Sequence, residues 1–141
     1  MYIILYRSRV RTSLLATDLN DIIEVSQRNN EAASITGLLL HGRLETIPGA
    51  PGEFVQWLEG TEDAVEHVYR IIERDERHSH LDVLHRGPLD DVDGYPDELA
   101  SGGRLFPSWS MGLVRLAELP ATRTGFLHFA RTWGGEVSIP A

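Results

Sequence analysis

The sequence contains no cysteine among its 141 residues. The lack of thiols excludes disulfide bonds, thiolate metal sites and thiol chemistry, and it is typical of a cytoplasmic protein. No apolar run approaches the roughly 18 residues of a membrane span, and the N-terminus lacks the pattern of a signal peptide. We therefore expect a cytoplasmic protein that has no membrane partner.

Basic residues are scarce as well. Thirteen basic residues, all of them arginines, oppose 21 acidic residues, which gives a net charge of -8. This is the wrong sign for a general phosphate-backbone binder, so we expect no nucleic-acid partner. The composition, 42% hydrophobic and 24% charged, suits one compact domain with a real core, and a second catalytic domain would not fit in this length.

Hydrophobic patterning predicts an order of strands and helices. The strands are short apolar runs bounded by polar or glycine-rich segments, at residues 2–6, 35–40, 53–60, 81–86 and 108–116. The helices carry apolar residues at helical spacing, over residues 18–29 after a capping Thr17 and over residues 62–72. The resulting order, β-α-β-β-α-β-β, predicts a ferredoxin-like α+β sheet with two helices on one face.

The second face of this sheet also needs a cover. Continuous apolar runs such as "YIILY" and "LLL" indicate strands that are buried on both sides. A predicted short C-terminal helix could supply the cover, because Phe126, Leu127, Ala130 and Trp133 form an apolar stripe. A partner subunit is the alternative. We expect a domain over residues 1–116 and a helical tail over residues 117–141.

Polar side chains interrupt the apolar faces of several elements. In "EFVQWLEG", Gln56 shares its face with Phe54 and Leu58, because side chains alternate along a strand. The other polar residues on inward faces, or just past a helix end, are Tyr6, Ser26, Asn30, Asp75 and Arg77. A buried polar group without a partner costs roughly 1 to 3 kcal/mol. A planar heterocycle with alternating donors and acceptors would satisfy the group together.

Six segments make the pattern specific. They are "LYRS", "DLNDIIEVSQRNN", "ITGLLL", "FVQWLEG", "DERHS" and "FPSWSMGL". From Tyr2 to Leu116 the chain resembles the BLUF family of flavin-binding blue-light sensors, in which these segments occur in the same order. The resemblance implies a bound FAD, with FMN or riboflavin as alternatives.

The resemblance also implies roles for individual residues. Tyr6 matches the photoactive tyrosine of the family and Gln56 its switching glutamine. Asn30, Asp75 and Arg77 match groups that hydrogen-bond the polar edge of the isoalloxazine ring, and Ser26 matches a supporting hydroxyl. The remaining matches are Ile22 and Ile23, which are expected to line the flavin site, and Trp109 and Met111, a pair on the last strand that reorients on signalling.

The function implied is light sensing without net catalysis. In the family, the excited flavin takes an electron from the tyrosine while a proton moves through the glutamine amide. The glutamine is left rotated or tautomerised, and the absorption of the flavin shifts to the red. Because the chain has no room for an output domain, we expect a separate downstream signalling protein as partner, and a homo-oligomer, with a dimer favoured.

Two other readings stay open. The chain could be a BLUF-like interaction module that takes up no flavin, because the loops near residues 41–53 and 87–105 are longer than expected for the family. It could also be an acylphosphatase-like enzyme, since Arg7, Arg9 and Arg11 follow the first strand, although the glycine-rich anion loop is absent. No histidine spacing in the sequence predicts a metal site.

Overall fold

The computed structural model describes residues 1–10, 16–43, 52–88 and 104–132. Its strands are β1 (Tyr2–Val10), β2 (Thr36–Arg43), β3 (Glu53–Gly60), β4 (His78–Pro88) and β5 (Trp109–Arg115). Its helices are α1 (Ala16–Ala32), α2 (Glu62–Glu73) and α3 (Arg123–Thr132), and a short 3-10 turn (Leu116–Glu118) links β5 to α3. The predicted order of elements is confirmed.

The strands form one sheet in the order β4-β1-β3-β2-β5. Neighbouring strands are antiparallel except β2 and β5, which are parallel. Strand β3 therefore lies in the middle, between β1 and β2, while β5 joins beyond β2. This arrangement confirms the ferredoxin-like α+β sheet and places the central strand beside the strands that carry Tyr6 and, one strand further, Trp109.

The sheet is buried on both faces by two separate hydrophobic cores. Ile4 and Leu58 point to the face that α1 and α2 cover, where they pack with Ile22 and Val65. Side chains of opposite parity point to the other face, since successive residues alternate across a strand. Because side chains on both faces are buried, the strand sequences are continuous apolar runs and do not alternate between apolar and polar residues.

Helix α3 covers the second face. The rings of Trp57 and Phe126 stack with centroids 5.5 Å apart and planes inclined by 7°. Phe106 packs edge-on against both rings, and Leu127 belongs to the same core. This confirms the prediction that a C-terminal helix packs on this face, while Trp133 of the predicted stripe lies outside the described residues.

Strand β1 continues to Val10, past its predicted end in the polar segment "RSRV". The polar side chains there have partners. Arg7 Nε donates to Glu53 Oε1 on β3 at 3.0 Å, and the Ser8 hydroxyl, which is buried, bonds His78 at 2.7 Å. A strand can therefore include a polar stretch when the neighbouring strands supply ionic and hydrogen-bonding partners.

The starts of α1 and β4 also differ from the predicted ones. Helix α1 begins at Ala16, so Thr17 lies inside the helix and is not its cap as predicted. Strand β4 begins at His78, earlier than predicted, because it pairs with the extension of β1 through Val10.

The long hairpin and acidic loops fall mainly on residues 44–51 and 89–103, outside the described part of the chain. Within that part, no helix is both long and apolar enough to cross a bilayer.

A charged cluster ties α2 to the edge of the sheet and makes stability depend on pH. Tyr2 Oη and Arg86 Nε both donate to Glu66 Oε2, at 2.6 and 2.8 Å. These hydrogen bonds, those from Arg86 above all, lower the pKa of Glu66 from its ordinary 4.5 to about 2. The resulting contribution to stability is present above pH 4.5 and is lost as the pH falls towards 2.

We expect Glu66→Gln to lower the free energy of unfolding at pH 7 by about 1 kcal/mol, a small value because the Arg86 side chain is 44% exposed. The difference from the wild type should shrink steadily between about pH 5 and pH 2, because the protonated glutamate no longer attracts the guanidinium. Urea unfolding of both proteins across this range measures it, with the exposed Glu62→Gln as control. A difference that does not vary with pH would contradict the assignment.

Candidate functional site

The site is built around a pair of side chains on adjacent strands. Tyr6 on β1 lies directly opposite Gln56 on β3, and both side chains point to the face covered by α1 and α2. Gln56 Nε2 donates a hydrogen bond of 2.5 Å to Tyr6 Oη. Both side chains are buried, so the phenol and the amide meet in a position that water reaches little.

Trp109 forms a second hydrogen bond with the Gln56 amide. Its indole Nε1 donates to Gln56 Oε1 at 2.9 Å. An indole nitrogen can only donate, so the amide carbonyl must face Trp109, and the amide nitrogen must therefore face Tyr6. The three side chains form one chain of hydrogen bonds, and its direction is fixed by the indole.

Met111 follows Trp109 on the same face of β5. It lies opposite Leu39 of β2 in the parallel register and is buried in the same core as Tyr6 and Trp109. The two residues predicted as switch elements are therefore both on the inner face, with the indole in direct contact with Gln56 and the thioether packed in the core.

Burial shapes the acidity of Tyr6. Desolvation raises the pKa of the phenol far above its ordinary value of 10.0, and the hydrogen bond from Gln56 offsets only part of this rise. The negative charge of Asp75 acts in the same direction as burial. Tyr6 is consequently a neutral phenol at physiological pH, and any loss of an electron from it favours loss of its proton too.

A cavity opens between this hydrogen-bonded chain and the two helices. Its lining includes the predicted residues Tyr6, Ile22, Ser26, Asn30, Gln56, Asp75 and Arg77. The polar groups of this lining come from four segments that are far apart in sequence, and the topology brings their side chains to one place. Ile23 also lies on α1, but its side chain is outside the described residues.

Asn30 presents a buried polar side chain to this cavity. Its side chain is only 3% exposed, and its amide makes no hydrogen bond to any residue in the described ranges. Its backbone carbonyl accepts from the Ile35 amide at 2.8 Å, which fixes the end of α1. A buried amide that has no partner among the described residues and faces a cavity suits a ligand that supplies one.

Asp75 and Arg77 form a small charged unit at the far side of the cavity. The Asp75 carboxylate accepts from the backbone amide and the guanidinium of Arg77, in both cases at 2.9 Å. Burial opposes ionisation of Asp75, but the hydrogen bonds from Arg77 outweigh it and hold its pKa below the ordinary 3.8. The carboxylate is therefore an acceptor and the adjacent guanidinium a donor, both at the cavity wall.

Apolar side chains supply the rest of the wall. Val25 on α1 and Ile71 on α2 are 44% and 54% exposed, although both line the cavity. Large apolar side chains exposed around a concave polar site are typical of a ligand pocket. Apolar flanks with amide, carboxylate and guanidinium groups at the edge fit the planar ring of the flavin that the sequence resemblance implies.

His78 and Tyr69 are among the residues in or beside the site that were not predicted. His78 lines the cavity and bonds both Ser8 Oγ and the Ile72 carbonyl at 2.7 Å. Because a carbonyl only accepts, Nε2 is the donor to Ile72. Tyr69 of α2 lies with its ring centroid 5.7 Å from that of Tyr6. Its helical spacing from Val65 was a usable signal, while His78 had only its place within "DERHS".

Of the three arginines that suggested a phosphate site, Arg9 is exposed on β1. Arg7 forms an ion pair with Glu53, and Arg11 lies outside the described residues. Over the described ranges, no cluster of three or more histidine or acidic side chains is placed to hold a metal ion.

Comparison with known proteins identifies one family. The family model for BLUF, described as sensors of blue-light using FAD, matches residues 1–112. Among curated proteins, the photoactivated adenylate cyclase subunit beta of Euglena gracilis is 38% identical over 93 residues, which is 66% of this chain and 10% of that protein. The chain thus spans about a tenth of the length of such relatives.

Solved structures agree with this match. The dark-state structure of BlrB, a BLUF protein, superposes with a TM-score of 0.62 and 29% identity, covering 95% of this chain and 85% of that one. A bacterial light-regulated adenylyl cyclase gives a TM-score of 0.59 and 26% identity over 94% of this chain and 33% of that one.

Proposed function

Because the chain belongs to the BLUF family of blue-light sensors that use FAD, we propose that Tyr6 and Gln56 are the photoactive pair of a flavin-based photoreceptor. The observation that carries this proposal is the direct hydrogen bond of 2.5 Å between the two side chains at the wall of a cavity. The receptor senses light and performs no net catalysis of its own.

When bound, the flavin absorbs blue light and becomes a strong oxidant. Tyr6 would give up an electron to it, and the hydroxyl proton of Tyr6 would leave as well, because a phenol radical cation is far more acidic than the phenol. Gln56 is an uncharged relay whose oxygen can take up a proton and whose nitrogen can release one. Because the nitrogen faces Tyr6 in the described orientation, the phenol proton reaches the oxygen only after the amide rotates. The proton therefore moves along the amide without leaving a charge on it.

The electron and a proton then return to Tyr6, and Gln56 ends the cycle in a changed hydrogen-bonding state, by rotation or by tautomerisation. Rotation turns the amide NH2 group towards Trp109, whose indole can only donate, whereas tautomerisation alone leaves the oxygen facing Trp109 as a hydroxyl. After rotation, Trp109 must lose its bond or find another acceptor, while Met111 repacks beside it. Gln56 in its new state also changes its hydrogen bond to the flavin, which shifts the absorption to the red.

We assign the polar edge of the flavin to Asn30, Asp75 and Arg77. Asn30 supplies a buried amide at the cavity wall, and Asp75 with Arg77 supplies an acceptor beside a donor. Ser26 supports the same edge, and Ile22 and Ile23 flank the ring. FAD is the flavin we favour, because it is the one in the family description.

The output passes to a separate protein. Relatives of this chain include a photoactivated adenylate cyclase subunit, which joins a similar segment to a much longer chain. We propose that residues 1–116 are the sensory domain, that residues 117–141 are a helical tail, and that a dimer in the cytoplasm contacts a downstream signalling partner. Trp109 and Met111 on the edge strand β5 are the elements through which the light signal leaves the site.

An absorption spectrum before and after blue light tests the proposal. The purified protein is expected to be yellow, to shift reversibly to the red under blue light and to recover in the dark. Tyr6→Phe, which keeps the ring and removes the hydroxyl, should bind flavin and show no shift, because Gln56 loses its partner. A protein that takes up no flavin would instead be the interaction module, and hydrolysis of acyl phosphates by a colourless protein would favour the enzyme.

A further inference from the structure

Glu59 is a fully buried acidic residue that the proposed photochemistry does not use. It lies on β3, and its odd position relative to Gln56 directs its side chain to the face covered by α3. A carboxylate with no exposed surface needs hydrogen-bond donors around it, since burial of an isolated charge is strongly unfavourable. The donors that surround the Glu59 carboxylate show which segments of the chain it connects.

Four donors from three segments surround the carboxylate. Oε1 accepts from Trp57 Nε1 at 2.9 Å and from the Leu105 backbone amide at 2.8 Å. Oε2 accepts from the Phe106 backbone amide at 2.8 Å and from Thr36 Oγ1 at 2.7 Å. Every contact is a donor, which is the pattern of an ionised carboxylate that uses both oxygens.

The two backbone donors lie directly before β5. Leu105 and Phe106 follow the long acidic segment and precede Trp109 by only a few residues. Arg104 adds to the same attachment, because its guanidinium donates to Thr36 Oγ1 at 2.9 Å. The start of β5 is therefore fixed to β3 through one side chain, from the face opposite to the cavity.

We infer that Glu59 is a positioning residue that holds the Trp109 indole against Gln56 from the opposite side of the sheet. The carboxylate fixes the backbone of Leu105 and Phe106, and that backbone sets where β5 begins. The hydrogen bond from Trp109 to Gln56, at 2.9 Å, tolerates little displacement before it is lost. The same carboxylate also bonds Trp57, so it connects the start of β5 to the ring that stacks on α3.

Glu59→Gln separates this role from simple packing, because glutamine has nearly the same shape. One oxygen becomes an NH2 group, which faces two donors and can accept from neither. The backbone amides of Leu105 and Phe106 cannot rotate away, so one of them loses its acceptor and the segment moves. We expect faster exchange of the Trp109 indole proton in the dark state, by at least about tenfold for one lost hydrogen bond.

The experiment is nitrogen-15 NMR of the tryptophan indole protons in the flavin-loaded protein, kept in the dark. Trp57→Phe is the matched control: it removes one donor to Glu59 but leaves both backbone bonds, so the Trp109 signal should keep its slow exchange. If Glu59→Gln leaves Trp109 unchanged, or if Trp57→Phe disturbs it equally, the inference is overturned.

A second measurement needs no substitution, in case Glu59→Gln fails to fold. In native-state hydrogen exchange, the Leu105 amide, the Phe106 amide and the Trp109 indole should open with the same dependence on denaturant. A Trp109 indole that exchanges while both amides stay protected would refute the link. The consequence for signalling rests on the proposed function, but these dark-state readouts do not: a protein blind to light whose Trp109 still depends on Glu59 would contradict only the proposed function.

Discussion

Gln56→Leu is expected to abolish the light-induced red shift while the protein still binds flavin. Leucine has a similar volume but neither a donor for Tyr6 nor an acceptor for Trp109, so both hydrogen bonds of the amide disappear together. Nothing then relays a proton from the phenol, and no group at this position can change its hydrogen bond to the flavin. Absorption spectra before and after blue light measure the effect.

The substitution also leaves polar groups behind. The Trp109 indole loses its acceptor in a buried place, which costs roughly 1 to 3 kcal/mol. Trp109 is therefore expected to move away from residue 56 even in the dark, which its fluorescence would report. Loss of the spectral shift without any change at Trp109 would mean that the indole is not held by the amide.

Trp57→Phe is the control for this experiment. Trp57 is adjacent in β3 and fully buried, but it points to the opposite face, where it stacks on α3. Its replacement disturbs the core near residue 56 without touching the Tyr6 hydrogen bond, so the red shift should persist. A Gln56→Leu protein that still shifts normally would show that the assigned mechanism is wrong.

The order of elements and the inward face of Gln56 were predictable from local patterns in the sequence, whereas the pairing of Gln56 with Tyr6 was implied by the resemblance to the family. Alternation within "EFVQWLEG" placed Gln56 on the inner face, and the strand has the predicted bounds. The end of β1 was not predictable in the same way, because its polar residues are stabilised by partners far away in sequence, such as Glu53 for Arg7. Periodicity contains no information about such cross-strand pairs.

The burial of Glu59 was likewise not predictable from local sequence patterns. A glutamate near the end of a strand is by default a solvated residue, and its neighbour Gly60 suggested an approaching turn. Its burial depends on Leu105 and Phe106, which reach it only because β5 joins the sheet beside β2. The residues that contact the amide were predictable from the sequence, whereas the residue that positions one of them required the three-dimensional arrangement.

Gly37 is a glycine at which the neighbouring strand leaves no room for a side chain. It lies on β2, opposite Leu58 of β3 on one side and Trp109 of β5 on the other. A Cβ atom at this position would come within 1.8 Å of the Trp57 carbonyl oxygen, which is backbone and cannot rotate away. The φ angle of +157° is also one that side-chain-bearing residues rarely adopt.

We expect Gly37→Ala to lower the free energy of unfolding by about 3 kcal/mol or more, since backbone strain and overpacking each contribute about 1 to 3 kcal/mol. For a domain of this size the melting temperature should fall by roughly 10 °C. The matched control is Gly87→Ala, where φ is +151° but no atom lies within 4 Å of the added carbon. Gly87→Ala has similar backbone strain but no collision, so its free energy of unfolding should fall markedly less than that of Gly37→Ala.

The collision acts on the site as well as on stability. Strand β2 lies between β3, which carries Gln56, and β5, which carries Trp109, so any widening of the β2–β3 pair moves the indole away from the amide. Gly37→Ala should therefore weaken the Trp109 contact in the fraction that folds, whereas Gly87→Ala on the far edge should not. Equal losses of stability in the two variants would mean that close packing at Gly37 does not set the spacing between these strands.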